Sequence, residues 1–142
     1  MNQDMELLQY IYQNTKMGED SLRTLLPRVE DAKLKSHLQG QLTGYSSLKG
    51  KAAEEIYRQS GMPQENSAWA KLSVQMGVRM NAFKDRSASH IAGMMIQGST
   101  MGIVDMTQRL NQYKDAGQTA RGLADEVVHF EQENIDRLKP YL

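Results

Sequence analysis

The residue types able to do chemistry in this chain are few. Cysteine is absent from the 142 residues, and histidine occurs three times, at His37, His90 and His129. Thiol nucleophiles, disulfides and zinc–thiolate sites are therefore excluded. Carboxylates and imidazoles remain, and these suit iron or manganese. One Glu-x-x-His string is present, Glu126 to His129. Spacing of i, i+3 turns two side chains the same way from a helix. On a helical wheel, however, Glu126 and His129 fall outside the stripe of Leu123, Val127 and Phe130, so they read as solvent-facing. Glu131 and Asn134 have the same spacing and lie inside that stripe. Upstream, Glu19 beside Thr15, and Gln41 with Tyr45, also fall on apolar faces, with His37 at an edge. In the third long segment Ser99 lies among Met95, Gly98, Gly102 and Met106, while Asp105 leans to one side. No nucleophile elbow and no phosphate-cradling glycine loop is present.

Those residues need helices to position them. Apolar residues recur at helical spacing over about 4–26, 31–60, 88–114 and 119–138, with a further helical segment at 67–83. The first stripe is Met5, Leu8, Ile11, Tyr12, Leu22 and Leu26, with Leu7 and Leu25 at its edge. The second is Leu34, Leu38, Leu42, Tyr45, Leu48, Ala52 and Ile56. The last carries Ala120, Leu123, Ala124, Val127, Phe130, Ile135 and Leu138. Pro27, Pro63 and Pro140 all lie between or after these segments. Gly61 reads as the cap that ends the second helix, and Ser87 or Ser89 as the start of the third. Strand-type alternation is missing, so the fold class is all-α, in one domain.

The short link at Pro27 makes helices 1 and 2 an antiparallel hairpin, and 115–118 does the same for helices 3 and 4. Hairpin, long connection, hairpin is the organisation of a bundle with one crossover, here Gly61 to Ser87. In helix order and length the whole chain resembles the ferritin-like superfamily, in particular its small bacterial members. That resemblance implies an up-down-down-up four-helix bundle. It also implies a metal layer built from a Glu on two helices and Glu-x-x-His on the other two. The chain departs from that set in three places. Helix 2 has no Glu-x-x-His, helix 3 has no inward carboxylate, and Asn134 stands in a histidine's position. With the implied topology, Glu19, Gln41, Ser99 and Glu131 fall at one height, roughly 14–19 Å from the helix 1–2 turn. The favoured reading is a hydrogen-bonded polar core layer of Glu19, Gln41, Tyr45, Ser99, Glu131 and Asn134, with no metal and no cofactor. The alternative is a reduced iron or manganese site using Glu19, His37, Glu131 and Asn134.

Composition sets the remaining limits. Lys plus Arg and Asp plus Glu are both 17. A balanced chain lacks the basic excess that phosphate recognition requires, so nucleic acid is not an expected partner. Apolar runs reach only three or four residues, far short of a membrane span. An acidic N-terminal stretch, with Asp4 and Glu6, is unlike a signal peptide, and the expected location is cytoplasmic. Ten methionines fill a core with little aromatic content; their helical spacing reads as packing rather than a copper site. Gly40 and Gly44, and Gly98 and Gly102, have the spacing of close helix approach. Ile91 to Met106 is the most apolar, Gly- and Met-rich stretch, and a homodimer contact through this third helix is expected. The function expected is non-enzymatic: an oligomeric structural or partner-binding bundle, with an apolar-ligand carrier as a further class because methionine-lined space lies between the helices.

Overall fold

Three of the described helices begin where a polar side chain can take up a free amide. Asn2 accepts from Met5 N at 2.8 Å, Asp31 from Leu34 N at 2.8 Å, and Ser87 from His90 N at 3.2 Å. These caps open α1 (Gln3–Leu25), α2 (Ala32–Arg58) and α3 (Ala88–Gln112); α4 (Gln118–Leu138) follows Gly117. Short 3-10 turns at Leu26–Arg28 and Lys139–Tyr141 carry Pro27 and Pro140. The computed structural model describes residues 2–65 and 84–142, and no strand occurs among them. The helical segment expected at 67–83 lies outside the described residues.

The end of α2 differs from the expectation. Ser60, not Gly61, takes the left-handed conformation, with φ 65°. Ser60 N donates to Tyr57 O and Gly61 N to Ile56 O, both at 2.9 Å, which is a Schellman closure one residue early. Gly61 is used for space instead, because a Cβ there would come within 2.8 Å of Met5 Cε.

Contacts at the two ends fix the helix directions. At one end, Gln3 Oε1 accepts from Asp115 N at 2.9 Å, and Asp4 Oδ1 accepts from Gly117 N at 2.8 Å. The first turn of α1 thus serves amides of the α3–α4 turn, and Met5 packs there in one apolar cluster with Ile56, Tyr113 and Ala116. At the other end Leu22 and Leu25 of α1 meet Leu34 and Leu38 of α2, Ile91 of α3 and Leu138 of α4. Helices α1 and α4 therefore run one way and α2 and α3 the other. The C-terminus of α2 and the N-terminus of α3 lie at opposite ends of the bundle. Leu7 and Leu25, placed at the edge of the α1 stripe by the wheel, are fully buried.

Between the two apolar clusters lies a belt of buried polar residues that includes Ser99, Glu131 and Asn134. Glycines let bulky groups sit close to neighbouring helices there. Gly18 of α1 lies under the Tyr45 ring, where a Cβ would stand 2.5 Å from the ring edge. Gly44 of α2 lies under Phe130, and Gly102 of α3 under the Glu131 carboxyl. Neither expected small-residue pair is used as a pair. Among the described residues a Cβ on Gly40 or Gly98 meets nothing within 4 Å, so within these pairs Gly44 and Gly102 alone make close approaches there, and each admits a side chain rather than a backbone.

This difference is measurable. Gly44→Ala should cost about 1–3 kcal/mol through overpacking against Phe130. Gly40→Ala, in an open helical position, should stabilise by up to about 1 kcal/mol. Chemical denaturation of the two variants beside the parent checks the opposite signs.

Candidate functional site

The belt is built from one strong hydrogen bond and its surroundings. Tyr45 of α2 donates its hydroxyl to Glu131 Oε2 of α4 at 2.9 Å, with both residues about 2% exposed. The Tyr45 ring is fixed by Phe130, edge-on at 4.9 Å between centroids, and by the space over Gly18. Ser99 of α3 and Asn134 of α4 lie beside the same hydroxyl and temper its rise, while Ser99 Oγ and Asn134 Nδ2 are themselves buried without a hydrogen-bond partner among the described residues. Asn14 of α1 donates to Gly102 O at 3.3 Å, tying α1 to the backbone beneath the carboxyl. Glu131 Oε1 is buried without a hydrogen-bond partner among the described residues.

Removing a carboxyl from water disfavours its charged form. Burial pushes Glu131 up to about 8; the Tyr45 hydrogen bond works against that rise, and the nearby Asp105 charge adds to it. Burial likewise raises the Tyr45 phenol well above its ordinary value, reinforced by the Glu131 charge. At neutral pH the pair is therefore a mostly neutral acid and a neutral phenol. Asp105 is half-buried and raised by desolvation, against the pull of Arg109, whose Nε lies 3.6 Å away.

Glu19 does not join this group. Its Oε1 accepts from Lys49 Nζ at 2.8 Å, its Oε2 accepts from Ser46 Oγ at 2.6 Å, and Arg23 Nε stands 3.6 Å off. Burial opposes its ionisation, but the Lys49 and Ser46 hydrogen bonds and the Lys49 and Arg23 charges prevail and hold its carboxyl below the usual range. It is an ionised strut between α1 and α2. Gln41 also turns elsewhere, its Nε2 lying 3.2 Å from His37 Nε2 one turn back along α2. Burial, with the Arg137 charge, holds the His37 imidazole below its ordinary value. Of the six residues expected in one layer, the structure brings Tyr45, Ser99, Glu131 and Asn134 together and sends Glu19 and Gln41 to other partners.

The donor set does not fit a metal. Glu19 is committed to Lys49 and Ser46, Glu131 to Tyr45, and His37 stands with Gln41. Among the described residues no three His, Asp or Glu side chains come close enough to hold an ion. Glu126 and His129 are exposed; Glu126 pairs with Lys51 at 3.1 Å, and His129 Nδ1 lies 2.9 Å from Asp125 O.

The belt forms one wall of a cavity of about 500 Å³ between α1 and α3. Met17, Met94, Met95 and Met101 supply much of its lining, and Tyr45, Ser99 and Glu131 its polar side. Gly93, Gly98 and Gly102 along α3 leave the space open, and no Lys or Arg is among the described residues that line it.

Two further residues were not found by pattern. Gln9 of α1 donates to Met62 O and accepts from Gln64 N, both at 2.8 Å, and Gln13 donates to Gln64 O at 3.0 Å. One amide side chain thus pairs with backbone as a strand would, holding the chain after α2 along α1. Two glutamines at i, i+4 flanking an apolar stripe were the available signal.

Comparison with protein-family models, curated proteins and solved structures finds no match to this chain. No helix among the described residues is long and apolar enough to cross a membrane.

The belt carries a pH signature. Glu131 rises from 4.5 to about 8 on folding, so its contribution to stability is fully present below about 4.5 and gone once pH passes about 8. Stability of the parent should fall across that window by up to a few kcal/mol relative to Glu131→Gln, at about 1.4 kcal/mol per pH unit at most. Urea unfolding of the two proteins at pH 5, 6.5 and 8.5 measures it, and parallel curves would show that the carboxyl ionises freely.

Proposed function

We propose that this chain is a non-enzymatic bundle of the ferritin-like arrangement whose task is to bind a small ligand between α1 and α3. Helix order and the opposed directions of the two hairpins support the arrangement. The Tyr45–Glu131 pair stands where that arrangement would call for metal ligands, and it supplies hydrogen bonding in place of coordination. The observation that carries the binding reading is the cavity of about 500 Å³, methionine-lined and ending on a buried carboxyl with one oxygen unpaired among the described residues. Ligand sites are commonly apolar concavities with a few polar groups that fix orientation. Methionine suits such a wall because its unbranched thioether adapts to different shapes.

Filling the space tests the reading. Gly98 lines the cavity, and a Cβ there meets nothing within 4 Å among the described residues, so Gly98→Phe can enter the space without a clash with them at its Cβ. The parent should gain thermal stability with short-chain alcohols such as hexanol, and Gly98→Phe should lose that gain while remaining folded. An equal response in both proteins would place the alcohol elsewhere.

A second reading, homodimerisation through α3, is favoured by Met101 and Val104, which are 55% and 51% exposed on that helix. Symmetric pairs are the commonest oligomers, and an exposed apolar strip suits one. Light scattering should give a dimer mass for the parent and a monomer mass for Val104→Lys; a monomeric parent ends this reading.

A further inference from the structure

The charge of the ligand can be read from what lines the cavity, granted that the cavity is a binding site. Glu131 is the one carboxylate among the described lining residues, and its Oε1 is buried with no hydrogen-bond partner among those residues. Tyr45 already serves Oε2. The described lining offers no Lys or Arg to an anion, and a ligand carboxylate would face Glu131 across a space of low polarity. Elsewhere in the bundle buried charge is paired internally, as Glu19 is by Lys49 and Ser46. Glu131 has no such cation among the described residues, and Asp105 adds negative potential from α3.

We propose that the cavity takes an organic ammonium ion with a short apolar tail, its charged head on Glu131 and its tail among Met17, Met94, Met95 and Met101. A protonated amine has three donors and no acceptor, which matches Glu131 Oε1 once the carboxyl is ionised and that oxygen is an acceptor without a partner among the described residues. Thioether side chains are flexible and polarizable and pack against an alkyl chain of varied shape. Polarity and charge then select: a neutral alcohol satisfies the apolar wall alone, whereas an ammonium satisfies the carboxylate too.

Binding of this kind moves a proton. A cationic head favours the ionised Glu131, so below about 8 the carboxyl must first release its proton to solvent. The groups facing it are Tyr45 from α2 and Asp105, paired with Arg109, from α3. His90 of α3 also lines the cavity, and the described lining from α1, namely Asn14, Met17, Gly18 and Ser21, carries no titratable side chain. Affinity for the cation should therefore rise with pH, up to about tenfold per unit below 8, while affinity for an alcohol stays level.

Isothermal titration with hexylammonium, hexanol and hexanoate decides the matter, using the parent, Glu131→Gln and Gly98→Phe. At pH 8.5 the parent should prefer hexylammonium over hexanol by about tenfold and should not take hexanoate. The preference should shrink toward parity at pH 6.5. It should vanish in Glu131→Gln, whose hexanol affinity stays within about twofold of the parent's. Should Glu131→Gln fail to fold, the pH dependence of the parent alone carries the test. Equal binding of hexylammonium and hexanol at both pH values would overturn the cation and leave the cavity standing. Preference for hexanoate would overturn it likewise. If no probe binds, or Gly98→Phe binds all of them unchanged, the cavity reading falls and the ammonium proposal with it.

Discussion

A carboxyl group held between two apolar clusters must be paired, neutral or both, and Glu131 is both. Its hydrogen bond from Tyr45 joins α4 to α2, and the space it occupies exists because Gly102 of α3 has no side chain. Asn14 then ties α1 to that same glycine's carbonyl. All four helices thus meet at one polar point. Above and below it the bundle is ordinary, with leucine, isoleucine and alanine packed at helical spacing. An apolar residue in place of Glu131 would remove the cost of burying a polar group but leave the Tyr45 hydroxyl without its acceptor.

Helix α1 is the element on which the others converge. Twelve of its 23 residues are buried, which is more than one face of a helix can supply to a single neighbour. Its apolar side fills both clusters, while Gln9 with Gln13, Asn14 and Glu19 reach three different partners. Those partners are the backbone after α2, the backbone of α3, and the Lys49 ammonium with the Ser46 hydroxyl. The polar contacts of α1 therefore set register with neighbours whose apolar packing alone would tolerate sliding.

The helices themselves were legible because periodicity is a local property. The start of α2, both ends of α4 and nearly every stripe residue follow from spacing, proline and caps. The failures share a cause, which is that a wheel gives direction but not reach. Glu19 points inward as expected, yet Lys49 and Ser46 on α2 intercept its carboxylate before it can meet Glu131. Gln41 is likewise held by His37 on its own helix. Glycine spacing was misread for the same reason: Gly40 and Gly98 have the pattern of Gly44 and Gly102 but not the neighbours. Nothing in the spacing distinguishes a glycine beneath a phenyl ring from one facing open space. The Gln9 and Gln13 contacts depend on where the chain goes after α2, which periodicity does not encode.

The three glycine contacts also restrict how this sequence can change. Positions 18 and 45, 44 and 130, and 102 and 131 each share one fixed volume between two helices. In each pair the small residue is tolerable only beside its large partner, and the reverse holds equally. A larger residue at 102 calls for a shorter one at 131, and that shortening strands the Tyr45 hydroxyl, which leads on to position 45 and so to 18. Substitutions in this belt are therefore not independent events; they form a linked series in which the order of change matters, while exposed positions of the same helices drift freely.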